Sequence, residues 1–74
     1  MTLADIKEGQ TVKVKKVKSG NAIKQRMLDM GIITGAELKV ERYAPLKDPI
    51  HIKVKGFNLA LRVSEGQEIE VEEL

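Results

Sequence analysis

The stretch that decides the fold of this chain runs from residue 26 to residue 35 and reads Arg26-Met27-Leu28-Asp29-Met30-Gly31-Ile32-Ile33-Thr34-Gly35. Apolar side chains at Ile23, Met27 and Met30 recur at the spacing of one helical face, so the sequence predicts a short amphipathic helix packed on a core. Gly31 follows the last apolar position. We expect it to end the helix in a left-handed conformation, with Ile32 folding back over the last turn.

The residues around this helix define its start and the turn that follows it. Asn21 comes directly after Gly20 and is a candidate cap, because its side-chain oxygen can accept a hydrogen bond from an early free N–H. Lys24 and Arg26 are predicted to project into water. Gly35 stands just before an alternating strand pattern, so we expect it to supply the positive φ of a tight turn.

The length and composition of the chain set limits on its class. Seventy-four residues predict a single domain over residues 1–74, with a free energy of unfolding of roughly 4 to 11 kcal/mol. The absence of Cys excludes disulfides, thiolate metal sites and cysteine nucleophiles. No apolar run approaches the ~20 residues of a membrane span, and the N-terminus lacks the pattern of a signal peptide. These features predict a whole, soluble protein in the cytoplasm.

Charge is unevenly distributed along the chain. Residues 1–63 carry 13 basic and 6 acidic side chains, whereas residues 64–74 carry 5 acidic and no basic ones. A basic body can attract an anionic partner such as nucleic acid, a phosphate-bearing ligand or an acidic protein surface. The alternative is that lysines alternating with Val or Ile form the solvent-facing side of half-exposed strands.

Alternation of apolar and polar residues predicts five strands, which cover residues 11–17, 37–43, 50–55, 57–63 and 68–72. Lys15 and Lys16 interrupt the first alternation and predict a bulge. In the fourth strand the pattern turns inward the side chains of Phe57, Leu59, Leu61 and Val63. Residues 64–67 can form one helical turn, and the prolines at 45 and 49 exclude a central strand between them.

Five short strands and one helix in so small a chain predict an all-β, five-stranded small barrel, because closure removes exposed edge strands. The helix is inserted between the first and second strands. An oligonucleotide-binding barrel usually carries its helix between the third and fourth strands, so the position of the helix favours an SH3-like barrel.

The residues along the whole chain resemble the FeoA-type proteins of bacterial ferrous iron transport. The family pattern has an opening Leu and Gly, then R-L-x-x-L-G-h-x-P-G, an A-P-x-x-x-P loop, and A-L-R before a last strand. The matching residues in this sequence, in order, are Leu3, Gly9, Arg26, Leu28, Gly31, Gly35, Ala44, Pro45, Pro49, Ala60, Leu61 and Arg62. Thr34 stands where the family commonly has Pro.

The resemblance implies a cytosolic accessory protein of iron uptake that binds the cytosolic, GTPase-containing part of the transporter FeoB, and that meets the membrane only through the transporter. A similar barrel ends the iron-dependent transcriptional repressors, so an iron-responsive regulatory module is an alternative. A homo-oligomer is possible as well. No nucleophile, base and orienting acid stand at useful spacing, so we expect no enzyme.

Candidate partner-binding residues are those whose exposure a core does not explain. They are Arg26, Tyr43, Pro45, Leu46, Pro49 and Arg62. Interfaces favour Tyr and Arg, and an apolar Leu between two prolines has little structural reason to be exposed. The alternative is that the prolines only stiffen a loop and that Arg62 pairs with a nearby carboxylate.

Metal and nucleic-acid sites have weaker support in the sequence. His51 is the only histidine and has no adjacent carboxylate, so we expect no metal site and no cofactor, although ferrous iron is possible. Clustered lysines at positions 13–18 allow non-specific binding of nucleic acid. Base recognition on small barrels uses aromatic stacking, for which the chain offers only Tyr43 and Phe57, so we expect no specific nucleic-acid partner.

Overall fold

In the computed structural model, which describes residues 1–18 and 20–74, five antiparallel strands form one sheet. The strands are β1 (Thr11–Val17), β2 (Glu37–Tyr43), β3 (Ile50–Val54), β4 (Phe57–Leu61) and β5 (Ile69–Glu73). The helices are α1 (Asn21–Asp29) and α2 (Val63–Gly66), with 3-10 turns at Leu3–Asp5 and Pro45–Lys47. The five strands and the position of α1 between β1 and β2 are as predicted.

The strand order in the sheet is β4-β3-β2-β1-β5. Strands β1 to β4 pair with their sequence neighbours. β5 pairs with the edge of β1 that does not face β2, so Val12 lies between Leu38 on β2 and Glu73 on β5. The β1–β5 register shifts between Val14 and Lys16, which confirms the predicted bulge. This arrangement brings the acidic end of the chain against its first strand.

Alternating apolar side chains from the strands fill the core, together with residues from the lead-in segment and α1. The buried residues are Leu3, Ile6, Val12, Val14, Met27, Ile32, Leu38, Val40, Ile50, Ile52, Val54, Leu61, Ile69 and Val71. Among the described residues no polar or charged side chain is buried. A core of this kind, made almost entirely of aliphatic side chains, leaves all polar chemistry on the surface.

The end of α1 confirms the predicted glycine stop. Gly31 has a φ of 87°, and its N–H donates to the carbonyl of Leu28 at 3.0 Å. The N–H of Ile32 reaches back to the carbonyl of Met27 at 2.9 Å, and the Ile32 side chain is fully buried. These two bonds are the Schellman arrangement, which satisfies carbonyls left free at a helix end. Gly35 also has the predicted positive φ, at 90°.

The start of α1 and its apolar face differ from the predictions. The N-cap is Gly20, one residue before the predicted Asn21, whose side chain lies outside the described part of the structure. Met27 is the only member of the predicted apolar face that is buried, because Ile23 is 39% exposed and Met30 is half-buried. The helix therefore contributes Met27 fully to the core and Met30 in part.

The β3–β4 hairpin also differs from the prediction at its tip. Lys55 and Gly56 have φ values of 50° and 83°, so the strands are joined by a two-residue turn of type I′. Phe57 was predicted to face the core but is 72% exposed. Its position has the inward phase of its buried partner Val54, but β4 is an edge strand, and its inward side chains become more exposed from Leu61 toward the turn. Val63, predicted as strand, begins α2 and is half-buried.

Candidate functional site

The loop between β2 and β3 has a closed base. The Ala44 N–H donates to the Pro49 carbonyl at 3.0 Å, and the Lys47 N–H donates to the Ala44 carbonyl at 2.7 Å. Pro45 begins the 3-10 turn inside the loop, and the Asp48–Pro49 peptide bond is cis. We call residues 44–49 the proline loop. Its backbone bonds give it a defined shape although it stands on the surface.

Leu46 lies at the tip of the proline loop and is 98% exposed. Its φ is 69° and that of Lys47 is 66°. The left-handed conformation costs a non-glycine residue roughly 1 kcal/mol or more, so two in succession represent a local strain. The loop therefore holds an apolar side chain in water at a cost in backbone energy, which is a feature of functional sites.

Tyr43, one of the predicted partner-binding residues, is less exposed than the prediction requires. The side chain is half-buried against the core, and its hydroxyl donates to the carbonyl of Ile6, with the carbonyl of Ala4 at 3.4 Å from the same oxygen. Its backbone N–H donates to the Glu8 carboxylate at 2.8 Å. Burial raises the pKa of the Tyr43 hydroxyl, and nearby Asp5 and Glu8 add to that effect. Tyr43 thus holds the lead-in segment on the barrel.

On one side of the proline loop lies an open groove that brings together three predicted residues. Its lining residues are Arg26, Asp48, Pro49, Ala60, Arg62 and Glu65. The Arg26 guanidinium Nη1 is 2.5 Å from the Glu65 Oε2, while Oε1 of the same carboxylate accepts the Arg62 N–H at 3.0 Å. Asp48 accepts the Val63 N–H at 3.0 Å. Both carboxylates are therefore engaged in structural bonds.

Arg62 differs from Arg26 in this groove. Within residues 1–18 and 20–74, no carboxylate lies within ion-pair distance of the Arg62 guanidinium, whereas Arg26 is paired across 39 residues of sequence. The alternative role predicted for Arg62, pairing with a carboxylate, is not present in the described structure. Of the two arginines, Arg62 has the freer charge.

A second open groove lies on the other side of the proline loop. The lead-in segment forms one wall, and Tyr43, Ala44, Lys47 and Val63 form the other. Its charged groups, Lys7 and Lys47 on one hand and Asp5 and Glu8 on the other, balance each other. Asp5 accepts a backbone bond from Thr2 at 2.9 Å, which lowers the pKa of its carboxyl. This groove has no concentration of one charge.

The pairing of β1 with β5 brings acidic and basic side chains next to each other on the surface. β5, which holds three of the five acidic residues of segment 64–74, lies against the lysines of β1, with Glu72 opposite Lys13 and Glu70 opposite Lys16. The Lys18 ammonium is 3.2 Å from Glu70 and, by hydrogen bonding, lowers the pKa of that carboxyl. The lysines near β1, which suggested nucleic-acid binding, are therefore partly neutralised within the molecule.

Potential metal ligands are dispersed over the part of the chain that the structure describes. Over the described ranges, 1–18 and 20–74, no three His, Asp or Glu side chains lie close enough to hold a metal ion together. His51 is half-buried on β3, opposite Ala60. In the same part of the chain, neither helix has the length and apolar composition needed to cross a membrane.

Sequence reasoning missed two features of this surface. The exposure of Phe57 was missed because alternation gives the phase of a side chain but not whether its strand lies at the edge of the sheet. The two-residue turn before it was the available signal. The role of Glu65, which links Arg26 to α2, had no local signal, because its partner lies 39 residues away.

The comparisons with known proteins agree with this geometry. Residues 1–73 match the model of the FeoA domain family. A Fe(2+) transport protein A of Methanocaldococcus jannaschii is 41% identical over 71 residues, which cover 96% of this chain and 84% of that protein. A Porphyromonas gingivalis protein, a fusion of Fe(2+) transport protein A with the Fe(2+) transporter FeoB, is 31% identical over 72 residues. The match covers 97% of this chain but only 8% of the fusion protein.

Solved structures show the same fold. The FeoA protein of Chlorobium tepidum, at 39% identity, superposes with a TM-score of 0.94 over 100% of this chain and 70% of that one. The Stenotrophomonas maltophilia FeoA complexed with zinc, described as a prokaryotic SH3 domain protein, gives a TM-score of 0.86 at 26% identity, over 97% and 89% of the two chains.

The fold, the exposed loop and these comparisons define a small SH3-like barrel of the kind associated with ferrous iron transport. The chain belongs to the FeoA family.

Proposed function

We propose that this chain is a non-catalytic, cytosolic accessory protein of ferrous iron uptake, and that it binds the cytosolic, GTPase-containing part of FeoB. The observation that carries the proposal is the relative in which the same domain and FeoB share one polypeptide. Fusion holds two modules at a high effective concentration, and it supports an interaction between them when they are separate. In this proposal iron is the transporter's cargo, and the barrel carries no cofactor of its own.

The proline loop is the docking element in this proposal. Leu46 is fully exposed and offers a partner an apolar contact. Because backbone hydrogen bonds already restrain the proline loop, its ordering on binding costs little conformational entropy. Pro45 is exposed beside it, and Pro49 is half-buried in the neighbouring groove with Arg26 and Arg62. An arginine at the edge of an apolar contact suits a polar interface rim. Tyr43 contributes by fixing the strand from which the loop leaves.

The test is a titration of isotope-labelled protein with the FeoB GTPase domain, with and without guanine nucleotide, followed by backbone amide shifts. We expect shifts at residues 44–49 and weaker binding of Leu46→Ala, by about tenfold, since truncating a central interface contact costs 1 kcal/mol or more. Leu74→Ala is the matched control, because Leu74 is also exposed, at 67%, and lies outside the loop.

Two results would contradict the proposal. If no amide shifts at high concentrations of the GTPase domain, direct binding to that domain is wrong. If Leu46→Ala and Leu74→Ala bind as well as the original chain while shifts occur elsewhere, the partner is right but the docking element is not the proline loop.

A further inference from the structure

The two edges of the sheet are not equivalent. At the β5 edge, Thr2 forms a bridge with Glu70, and the Val71 N–H donates to the Met1 carbonyl at 3.0 Å. At the β4 edge no such segment is present among the described residues. The lead-in segment therefore covers one edge and leaves the other open.

The register of the β3–β4 hairpin shows which backbone groups are free at the open edge. Val54 and Phe57 flank the two-residue turn, and such a pair exchanges both of its backbone hydrogen bonds. Bonded pairs recur at every second residue, so the N–H and C=O groups of Asn58 and Ala60 point away from β3. Both residues are exposed, and no described hydrogen bond reaches those backbone groups.

The open edge lacks the devices that usually protect an edge strand. Such strands carry charged side chains, prolines, bulges or inward-pointing charges that discourage pairing. The five residues of β4 include no charge and no Pro, and its pairing with β3 is without a bulge. It begins with the exposed aromatic side chain of Phe57. An added strand would find free backbone groups and an apolar contact at one end.

The β3–β4 hairpin that forms this edge carries basic side chains. The Asp48 and Glu65 carboxylates, which line the groove that reaches Ala60, already accept hydrogen bonds from within the chain. From Pro49 to Ser64 the chain contains no acidic residue, but it contains Lys53, Lys55 and Arg62. Lys53 lies opposite Asn58 on β4, on the outer face behind the edge, and makes no ion pair in the described part of the chain. Its neighbour Lys39 on β2 differs, because its ammonium lies 4.0 Å from the Glu41 carboxylate. Two copies of the chain paired through β4 would bring these basic faces together and repel each other. An acidic segment would be attracted.

We propose that the β4 edge binds an extended acidic segment of a partner protein by strand addition. The backbone of that segment pairs with Asn58 and Ala60, acidic side chains at alternate positions lie over the face of Lys53, and an apolar residue of the opposite phase contacts Phe57. This inference stands whether or not the partner is FeoB, because it depends only on the edge, its register and its charge.

The experiment uses the intact chain and a short peptide of alternating Glu and Val residues. We expect the amides of Asn58 and Ala60 to gain protection from hydrogen exchange on binding, with affinity falling as salt rises, since exposed charges are screened beyond about 8 Å at physiological ionic strength. Two comparison peptides separate the contributions. One alternates Lys and Val, and the other is the acidic peptide with N-methyl groups on the backbone nitrogens that would face β4.

Two charge-reversal variants supply the matched controls in the protein. Lys53→Glu should weaken binding of the acidic peptide by about three- to tenfold or more, and Lys7→Glu, with the same change in net charge at the lead-in segment, should leave it nearly unchanged. Both positions are exposed, so neither change disturbs the core. The amide spectrum of each variant checks that the barrel is intact.

The outcomes decide the proposal. The proposal is supported if the acidic peptide protects the amides of Asn58 and Ala60 while the N-methylated and the basic peptides do not bind. If the N-methylated peptide binds as well as its parent, contact is through charge alone and strand addition is wrong. If the same amides become protected when the protein alone is concentrated, a second copy occupies the edge and the acidic partner is wrong. If no peptide binds, the proposal fails.

Discussion

At the scale of one residue, Tyr43 was predicted to contact a partner, but in the structure its side chain stabilises the fold. An aromatic residue at the end of a strand, next to a proline loop, is typical of an interface. Its hydroxyl instead donates to the Ile6 carbonyl, 37 residues away in the sequence. A hydrogen bond between distant residues leaves no local pattern, so the sequence could not reveal it.

We expect Tyr43→Phe to lower the free energy of unfolding by about 1 kcal/mol, the usual net value of one intramolecular hydrogen bond. The loss should depend on pH. Because the folded-state pKa of Tyr43 is raised above the ordinary value of 10.0, the unfolded chain releases the proton first, and stability falls as the pH rises above that value. Below it the contribution of the hydroxyl is fully present.

Urea unfolding at neutral and alkaline pH measures the stability change, and tyrosinate absorbance measures the pKa directly because the chain has one Tyr and no Trp. The Phe variant is the control for the alkaline loss, because it lacks the phenol and keeps every other ionisable group of the chain. An absorbance pKa at or below that of the urea-unfolded chain would contradict the structural role of this hydroxyl.

At the scale of elements, α1 is specified more strongly at its end than along its length. The helix ends in a Schellman arrangement at Gly31, with Ile32 buried, as the sequence predicted. Of its predicted apolar face, Met27 is fully buried, Met30 is partly buried against the core, and Ile23 is exposed. An exposed salt bridge from Arg26 to Glu65 adds a contact with α2, and such bridges contribute at most about 1 kcal/mol.

We therefore expect Met27→Ala to cost about 2 to 5 kcal/mol, since truncation of a buried side chain loses its transfer energy and leaves a cavity. A loss of that size is a large part of the stability of a chain of this length. Ile23→Ala, on the same face but 39% exposed, is the control and should cost less than about 1 kcal/mol, with part of the loss offset by the better helix propensity of Ala.

Denaturant unfolding of the two variants, followed by far-UV circular dichroism, measures the difference. Comparable losses for both variants would mean that Ile23 is packed against the barrel in solution, as the helical spacing predicts.

The elements differ in how far the sequence predicted them. Alternation located all five strands and the bulge, because the buried face of a strand repeats at every second residue. It failed at Phe57, which lies on an edge strand, and at Val63, where the strand gives way to a helix. The exposure of Leu46 was predicted from its prolines, but its positive φ was not. The groove that joins Arg26, Pro49 and Arg62 depends on tertiary packing, to which sequence spacing gives no access.

At the scale of the whole molecule, charge segregation along the chain becomes charge pairing in the sheet. The acidic strand β5 lies beside β1, and Glu70 bonds to Lys18 at 3.2 Å. On the other side of the sheet, β4 has no charged residue, and Lys53 of β3 makes no ion pair in the described structure. The small net charge of +2 therefore combines a nearly neutral β1–β5 side with a basic β3–β4 side.

We expect the free energy of unfolding to fall in acid, in part through Glu70. Its folded-state pKa is lowered from the ordinary value of 4.5, so its stabilisation is present above that value and is lost as the pH falls through the folded-state pKa. Glu70→Gln should lower stability at neutral pH and make the acid loss smaller.

Urea midpoints between neutral pH and about pH 3 test this expectation. Glu68→Gln is the matched control, with the same change in net charge and a carboxylate that makes no ion pair in the described structure. Equal acid profiles for the two variants would mean that general charge, and not the Lys18–Glu70 bond, sets the pH dependence.

The strand order also determines when each strand can find its neighbours as the chain is made. β2, β3 and β4 pair across short connections, so their hydrogen bonds close small loops. β1 pairs with β5 across nearly the whole sequence, with Val12 opposite Glu73. On the ribosome, β1 can therefore pair with β5 only after residues 69–73 have been synthesised. Until then, one edge of β1 stays unpaired while the other strands are made.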